Sequence, residues 1–132
     1  MPRNSNEAQI RKLIEDWAKA VRVKDVDGAL ANHTDDIVMF DVPMPLQSKG
    51  IKQYKKTWEL FFDHSPGGPG SFDVAELQIT ASDTVAFAHG LLRIGGSKNP
   101  VGRLSIGLRK EDGEWCIAHE HHSYPIEFKS GQ

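Results

Sequence analysis

The chain carries six histidines, and three of them, His119, His121 and His122, fall within four residues around Glu120. Histidine titrates near neutral pH, so this density marks either a proton-exchanging or ligand-binding site or a polar seam between packed sheets. The run follows Trp115-Cys116-Ile117-Ala118 and a turn at 111–114, which reads as the second strand of a hairpin. Strand alternation puts Trp115, Ile117, His119 and His121 on one face, and Cys116, Ala118, Glu120 and His122 on the other. His119 and His121 share a face, and His89 could add a third nitrogen from a nearby strand. His-x-His without a third ligand at a diagnostic spacing is a weak metal signal, so neither a metal nor another cofactor is expected.

Asp41 is the sharpest single candidate. It follows the apolar run Ile37 to Phe40 and precedes Val42-Pro43-Met44-Pro45, a loop or rim because prolines cannot sit in a sheet interior. A carboxylate half-desolvated there becomes a better proton acceptor near neutrality. The plainer reading makes it a strand-end residue capping the proline loop. His89 stands in a stretch where Phe87, His89 and Leu91 alternate with Ala86, Ala88 and Gly90. It is either an acid or ligand donor, or a histidine satisfied within the sheet. Arg103 and Ser105 alternate with Leu104, Ile106 and Leu108. Arg103 can meet an anionic group as a bidentate donor, or lie solvated or at an interface.

These residues need elements to hold them. Ile10, Ile14, Trp17 and Val21 repeat at helical spacing, with Ser5 placed to cap a helix starting near Asn6. Asp25 or Asp27 starts a short second helix. Asp35-Asp36 breaks the pattern before the strand at Ile37–Phe40. Gly50 opens a third helix whose face carries Tyr54, Trp58, Phe61 and Phe62, and the breakers at 64–70 end it. Four strands follow, about 72–80, 84–94, 101–110 and 115–123, joined by hairpin turns. Residues after Pro125 read as a loose tail. Helices followed by a strand meander give an α+β domain, helices on one face of a curved antiparallel sheet. At 132 residues the chain is one domain with a core at about 7–125.

The balance of 16 basic and 18 acidic residues shows no basic stripe, which argues against a nucleic-acid partner. No apolar run spans a bilayer, so no membrane association is expected. A lone Cys116 and an N-terminus without an apolar signal segment point to a reducing, cytoplasmic location.

Three strings in order resemble the nuclear transport factor 2-like superfamily, in its SnoaL-like and ketosteroid-isomerase-like branches. They are residues 23–30 followed by His33-Thr34-Asp35-Asp36, then Phe40-Asp41 with Gly50-Ile51, then 112–123. The resemblance implies a cone-shaped, cystatin-like fold whose helices and bent sheet enclose a pocket. It places Asp41 where ketosteroid isomerase keeps its general base, Trp17 at the position of its oxyanion tyrosine, and Ser105 at or near its oxyanion aspartate. An indole and a serine lack the acidity of that pair. The bulky face holding His89 is then expected to look into the cone. The last string also looks like the final strand of the association domain of calmodulin-dependent kinase. That likeness turns Glu120 and His122 toward the cone, whereas the amphipathicity of Trp115 and Ile117 argues the reverse. A bulge would shift the parity.

The resulting expectation is a pocket for a compact, mostly apolar small molecule. Its catalytic candidates are Asp41, His89 and His122, and its binding candidates Trp17, Tyr54, Trp58, Phe62, Arg103, Ser105 and Glu120. Isomerase, cyclase or dehydratase-type proton transfer stands beside plain ligand binding or association as the alternatives. A homodimer through the uncovered sheet face is expected.

Overall fold

A computed structural model describes residues 2–128, with side chains from Ser5 onward; the expected tail passes outside them at residue 129. Three helices and six strands follow in the order α1 (Pro2–Arg22), α2 (Val26–Leu30), β1 (His33–Phe40), β2 (Ser48–Lys49), α3 (Ile51–His64), β3 (Phe72–Ala81), β4 (Val85–Ile94), β5 (Gly102–Glu111) and β6 (Glu114–Ser123). The strands form one sheet ordered β2-β1-β6-β5-β4-β3. It curves around the helices without closing, the α+β architecture expected.

The sheet is mixed rather than wholly antiparallel, because β1 runs parallel to β6 while every other pair is antiparallel. α2 delivers β1 between the short edge strand β2 and β6, in the direction that β6 also takes on leaving its hairpin. The first helix begins at Pro2, not near Asn6, and the Ser5 hydroxyl accepts from Gln9 within it at 3.2 Å instead of capping it. Asp25 does cap α2, accepting from the Gly28 N–H. Gly50 precedes α3 with φ of +85°, a conformation open to glycine at little strain.

The apolar stripes close the core: Ile10, Ile14, Trp17 and Val21 of α1, and Tyr54, Trp58 and Phe62 of α3, are buried against Leu92, Leu104, Ile106, Leu108 and Ile117. Two bulges bend the sheet. In β3 the register slips between Ala75 and Gln78, with Glu76 at φ 53°. Gly90 lies opposite, where a Cβ would meet the Ala75 carbonyl and Val74 side chain at 3.0 Å. In β6 the register slips so that Gly107 pairs with His119 but Leu108 with Ile117, leaving Ala118 as the extra residue.

The β6 bulge settles the two opposed readings of this strand. Trp115 and Ile117 are buried, as amphipathicity requires, and Glu120 and His122 are buried too, as the resemblance requires. Ala118 absorbs the change of parity between them.

Candidate active site

Glu120 is a carboxylate in the apolar core with none of its side chain exposed. It is held there by donors on both oxygens, as burial of a charge demands. His122 Nε2 lies 3.0 Å from Oε1. On the other oxygen, Oε2, the Tyr54 hydroxyl donates at 2.6 Å and His33 Nε2 lies 2.9 Å away. The Trp17 indole N–H donates to the Tyr54 oxygen at 3.2 Å. The ladder builds this cluster, for Glu120 pairs with Met39 of β1 and Ile106 of β5, and His33 enters at the start of β1. Tyr54 arrives from the first turn of α3 and Trp17 from the fifth turn of α1.

The charges follow from this wiring. Burial favours the neutral acid at Glu120, but the hydrogen bonds and charges of His122 and His33 outweigh it and hold its pKa down at about 2. Burial likewise opposes charge on His122, and the Glu120 hydrogen bond, the Glu120 charge and the Asp41 charge reverse that, leaving its pKa raised. Desolvation and then the Glu120 charge push the Tyr54 phenol well above its ordinary value, so Tyr54 stays a donor.

In front of the cluster opens a cavity of about 660 Å³ whose apolar wall includes Trp58, Phe61, Phe72 and Leu92, and whose polar lining includes His122, Asp41, Gln53, Lys56 and Tyr124. The His122 ring sits 6.2–6.3 Å from the centroids of Trp17, Trp58 and Phe72, whose rings enclose it. With Nε2 committed to Glu120, Nδ1 is the free nitrogen. It makes no hydrogen bond among the described residues and is not among their sealed, unpartnered atoms, so it opens on the cavity. Asp41 is half-buried at the rim, where Oδ1 accepts from the Val42 N–H at 2.7 Å.

The candidates therefore divide into three groups. Asp41, His122 and Trp58 line the cavity. Trp17, Tyr54 and Glu120 lie behind its floor, and Phe62 backs Trp58 with ring centroids 6.0 Å apart while Phe61 takes the lining position. His89, Arg103 and Ser105 correct the sequence reading: all three are exposed on the outer face. β4 turns its small residues Ala88 and Gly90 inward and Phe87, His89 and Leu91 outward, and at Gly90 the bulged strand β3 leaves no room for a side chain, a Cβ there meeting the Ala75 carbonyl at 3.0 Å. His89 pairs with Ser105, which pairs with His121, while Arg103 Nε donates to the Ser123 hydroxyl at 3.2 Å. His119 and His121 flank Phe40 on this face, and no group of three or more potential metal ligands occurs among the described residues. Nor does Trp17 serve an oxyanion, because its N–H is used by Tyr54.

His33 is the functional residue that sequence reasoning missed. Its partner Glu120 is 87 positions away, and the following Asp35-Asp36 reads as a turn.

A model of the SnoaL-like domain matches residues 10–127. The chain belongs to the SnoaL-like family. Its place in the nuclear transport factor 2-like superfamily is seen again in solved structures. An NTF2-like protein of unknown function from Pseudomonas putida is 36% identical, covering 98% of this chain and 93% of its own, with a TM-score of 0.85. A ketosteroid isomerase-like protein from Erwinia carotovora shares 20% identity over 91% of this chain and 96% of its own, at a TM-score of 0.71. A cystatin-like-fold protein of unknown function from Nostoc punctiforme shares 15% identity over 90% of each chain, also at 0.71. No curated protein matches the sequence. Among the described residues of this SnoaL-like chain, no helix is long and apolar enough to cross a membrane.

Proposed function

We propose that this SnoaL-like protein catalyses proton transfer on a compact, mostly apolar carbonyl compound, with His122 as the acid and Asp41 as the base. The carrying observation is the His122 ring, pinned through Nε2 on Glu120 at 3.0 Å with Nδ1 left open to an aromatic cavity. A substrate carbonyl oxygen would accept from Nδ1–H while Asp41 at the rim takes the α-proton. The resulting enol either regains a proton at another carbon, giving an isomer, or expels a β-hydroxyl that leaves as water. The fold shared with a ketosteroid isomerase-like protein agrees with this chemistry.

Deuterium uptake by 2-tetralone, a small aromatic ketone, tests the proposal by NMR in D2O. Wild-type protein should accelerate exchange of the α-protons, and His122→Gln and Asp41→Asn should each lower that rate by about 100-fold or more. Undiminished exchange in both variants would remove the proposal. The competing reading is a ligand-binding or association domain. The exposed outer-face residues Val85 and Phe87 favour self-association of the sheet as a homodimer in either case, which sedimentation would read directly. A cytoplasmic setting fits both readings.

A further inference from the structure

The proton inventory behind the cavity floor is overdetermined except at one atom. His33 is sealed from solvent, and its Nδ1 lies 2.8 Å from the Ala31 carbonyl oxygen. A carbonyl oxygen only accepts, so Nδ1 must carry a hydrogen. The other nitrogen, Nε2, lies 2.9 Å from Glu120 Oε2 and 2.7 Å from the Tyr54 oxygen, and those two oxygens are 2.6 Å apart. Tyr54 already accepts from Trp17 and has one proton to give.

Two proton arrangements fit this triangle without moving a heavy atom, and they differ in how many hydrogens reach Glu120 Oε2. With His33 neutral, Nε2 is a lone pair, the Tyr54 proton turns to it, and Glu120 Oε2 receives no hydrogen. With His33 charged, Nε2–H points to Oε2 and the Tyr54 proton joins it, so that the same oxygen receives two. The opposite oxygen of that carboxylate holds His122 at 3.0 Å.

We propose that His33 is a positioning residue that sets, through Glu120, how tightly His122 holds its proton, the Tyr54 hydroxyl turning between its two acceptors as His33 gains or loses one. A charged His33 draws on the carboxylate and loosens the His122 proton. A neutral His33 releases the carboxylate and tightens it. The titratable groups facing the pair are Glu120 from β6, Tyr54 from α3 and Asp41 from the loop after β1, with the Trp17 indole of α1 as a fixed donor. The two imidazoles compete for one carboxylate, so their protons leave in separate steps that belong to the pair. The consequence for catalysis rests on His122 being the proton-exchanging group; the wiring does not.

Long-range 1H–15N spectra of the histidines, recorded over a pH series without substrate, test this. Wild-type His122 should titrate over two separated steps. His33→Gln keeps an amide donor near Glu120 but cannot take up a proton, so His122 should titrate in one step, with its midpoint about one pH unit, tenfold in proton affinity, above the lower wild-type step. Tyr54→Phe removes the hydroxyl that turns between the two acceptors, and the spacing of the two His122 steps should then change. His122 curves that superimpose in the wild type and in whichever variant folds would overturn the proposal. A purely structural role for His33 would lower the melting temperature of His33→Gln and leave the His122 curve in place. Failure of 2-tetralone exchange with these curves as predicted would remove the proposed reaction and keep the device.

Discussion

Ile117 and Glu120 point into the same core, although three positions along a regular strand would put them on opposite faces. The extra residue at Ala118 makes both directions possible. One bulge thus supplies the apolar packing of the hairpin and the polar floor of the cavity from a single strand. Deleting Ala118 should restore the regular ladder and turn either Trp115 and Ile117 or Glu120 and His122 outward. The expected outcome is loss of the cooperative thermal transition. A deletion variant that melts like the wild type would show that the bulge is not what orients the site.

Stability should peak between about pH 4.5 and pH 6.5. Glu120 is held at about 2 in the fold against 4.5 ordinarily, so its contribution is present above 4.5 and is lost as pH falls toward 2. The His122 pKa is raised from 6.5, so its contribution is full below 6.5 and is lost as pH rises through the higher folded value. Melting temperatures across this range should trace a plateau with two falling limbs. A curve still rising from pH 6.5 to 8 would contradict the His122 assignment.

Removing the central charge should be severe. Glu120→Gln removes the shared negative charge and turns one accepting oxygen into a donor facing the imidazoles and phenol, and breaking a buried pair from one side costs about 3–5 kcal/mol. The melting temperature should drop by on the order of 10 °C, and the His122 midpoint should move below 6.5 because its largest favourable partner is gone. A drop of only one or two degrees would mean that the cluster is solvated.

Exposed and enclosed candidates should separate cleanly. His89→Ala and Arg103→Ala change outer-face residues and should stay within about 0.5 kcal/mol of the wild type, with 2-tetralone exchange unaltered. Trp58→Ala opens the cavity wall and should cost about 3–5 kcal/mol. Loss of exchange in His89→Ala would return that residue to the site.

The sequence made much of this molecule legible because the signals are local. The helical stripe through Ile10, Ile14, Trp17 and Val21, the hairpin turns and the proline loop after Asp41 each declare themselves within a few residues, and all stand in the fold. The placing of His122 and Asp41 on one cavity was reached through family resemblance. Face assignment on β4 was not legible. Bulky residues ordinarily point inward, but here the inward face of β4 begins with Ala88 and Gly90, the latter pressed against the bulged β3, and Phe87 is turned out. His33 was hidden for a different reason. Its role exists only across the parallel β1–β6 pairing, and Asp35-Asp36, read as a break, lies within an irregular stretch of β1 where Arg109 anchors Asp36 at 2.8 Å.

The central claim is that Glu120 pins His122 so that one imidazole nitrogen is left for a ligand in the cavity. Long-range 1H–15N spectra of the histidines during addition of 2-tetralone test it most directly. The account predicts that His122 Nε2 stays protonated and unmoved while Nδ1 shifts in proportion to occupancy, with His89, His119 and His121 silent. A ligand that shifts only those outer-face histidines, or leaves every histidine nitrogen in place, would contradict it.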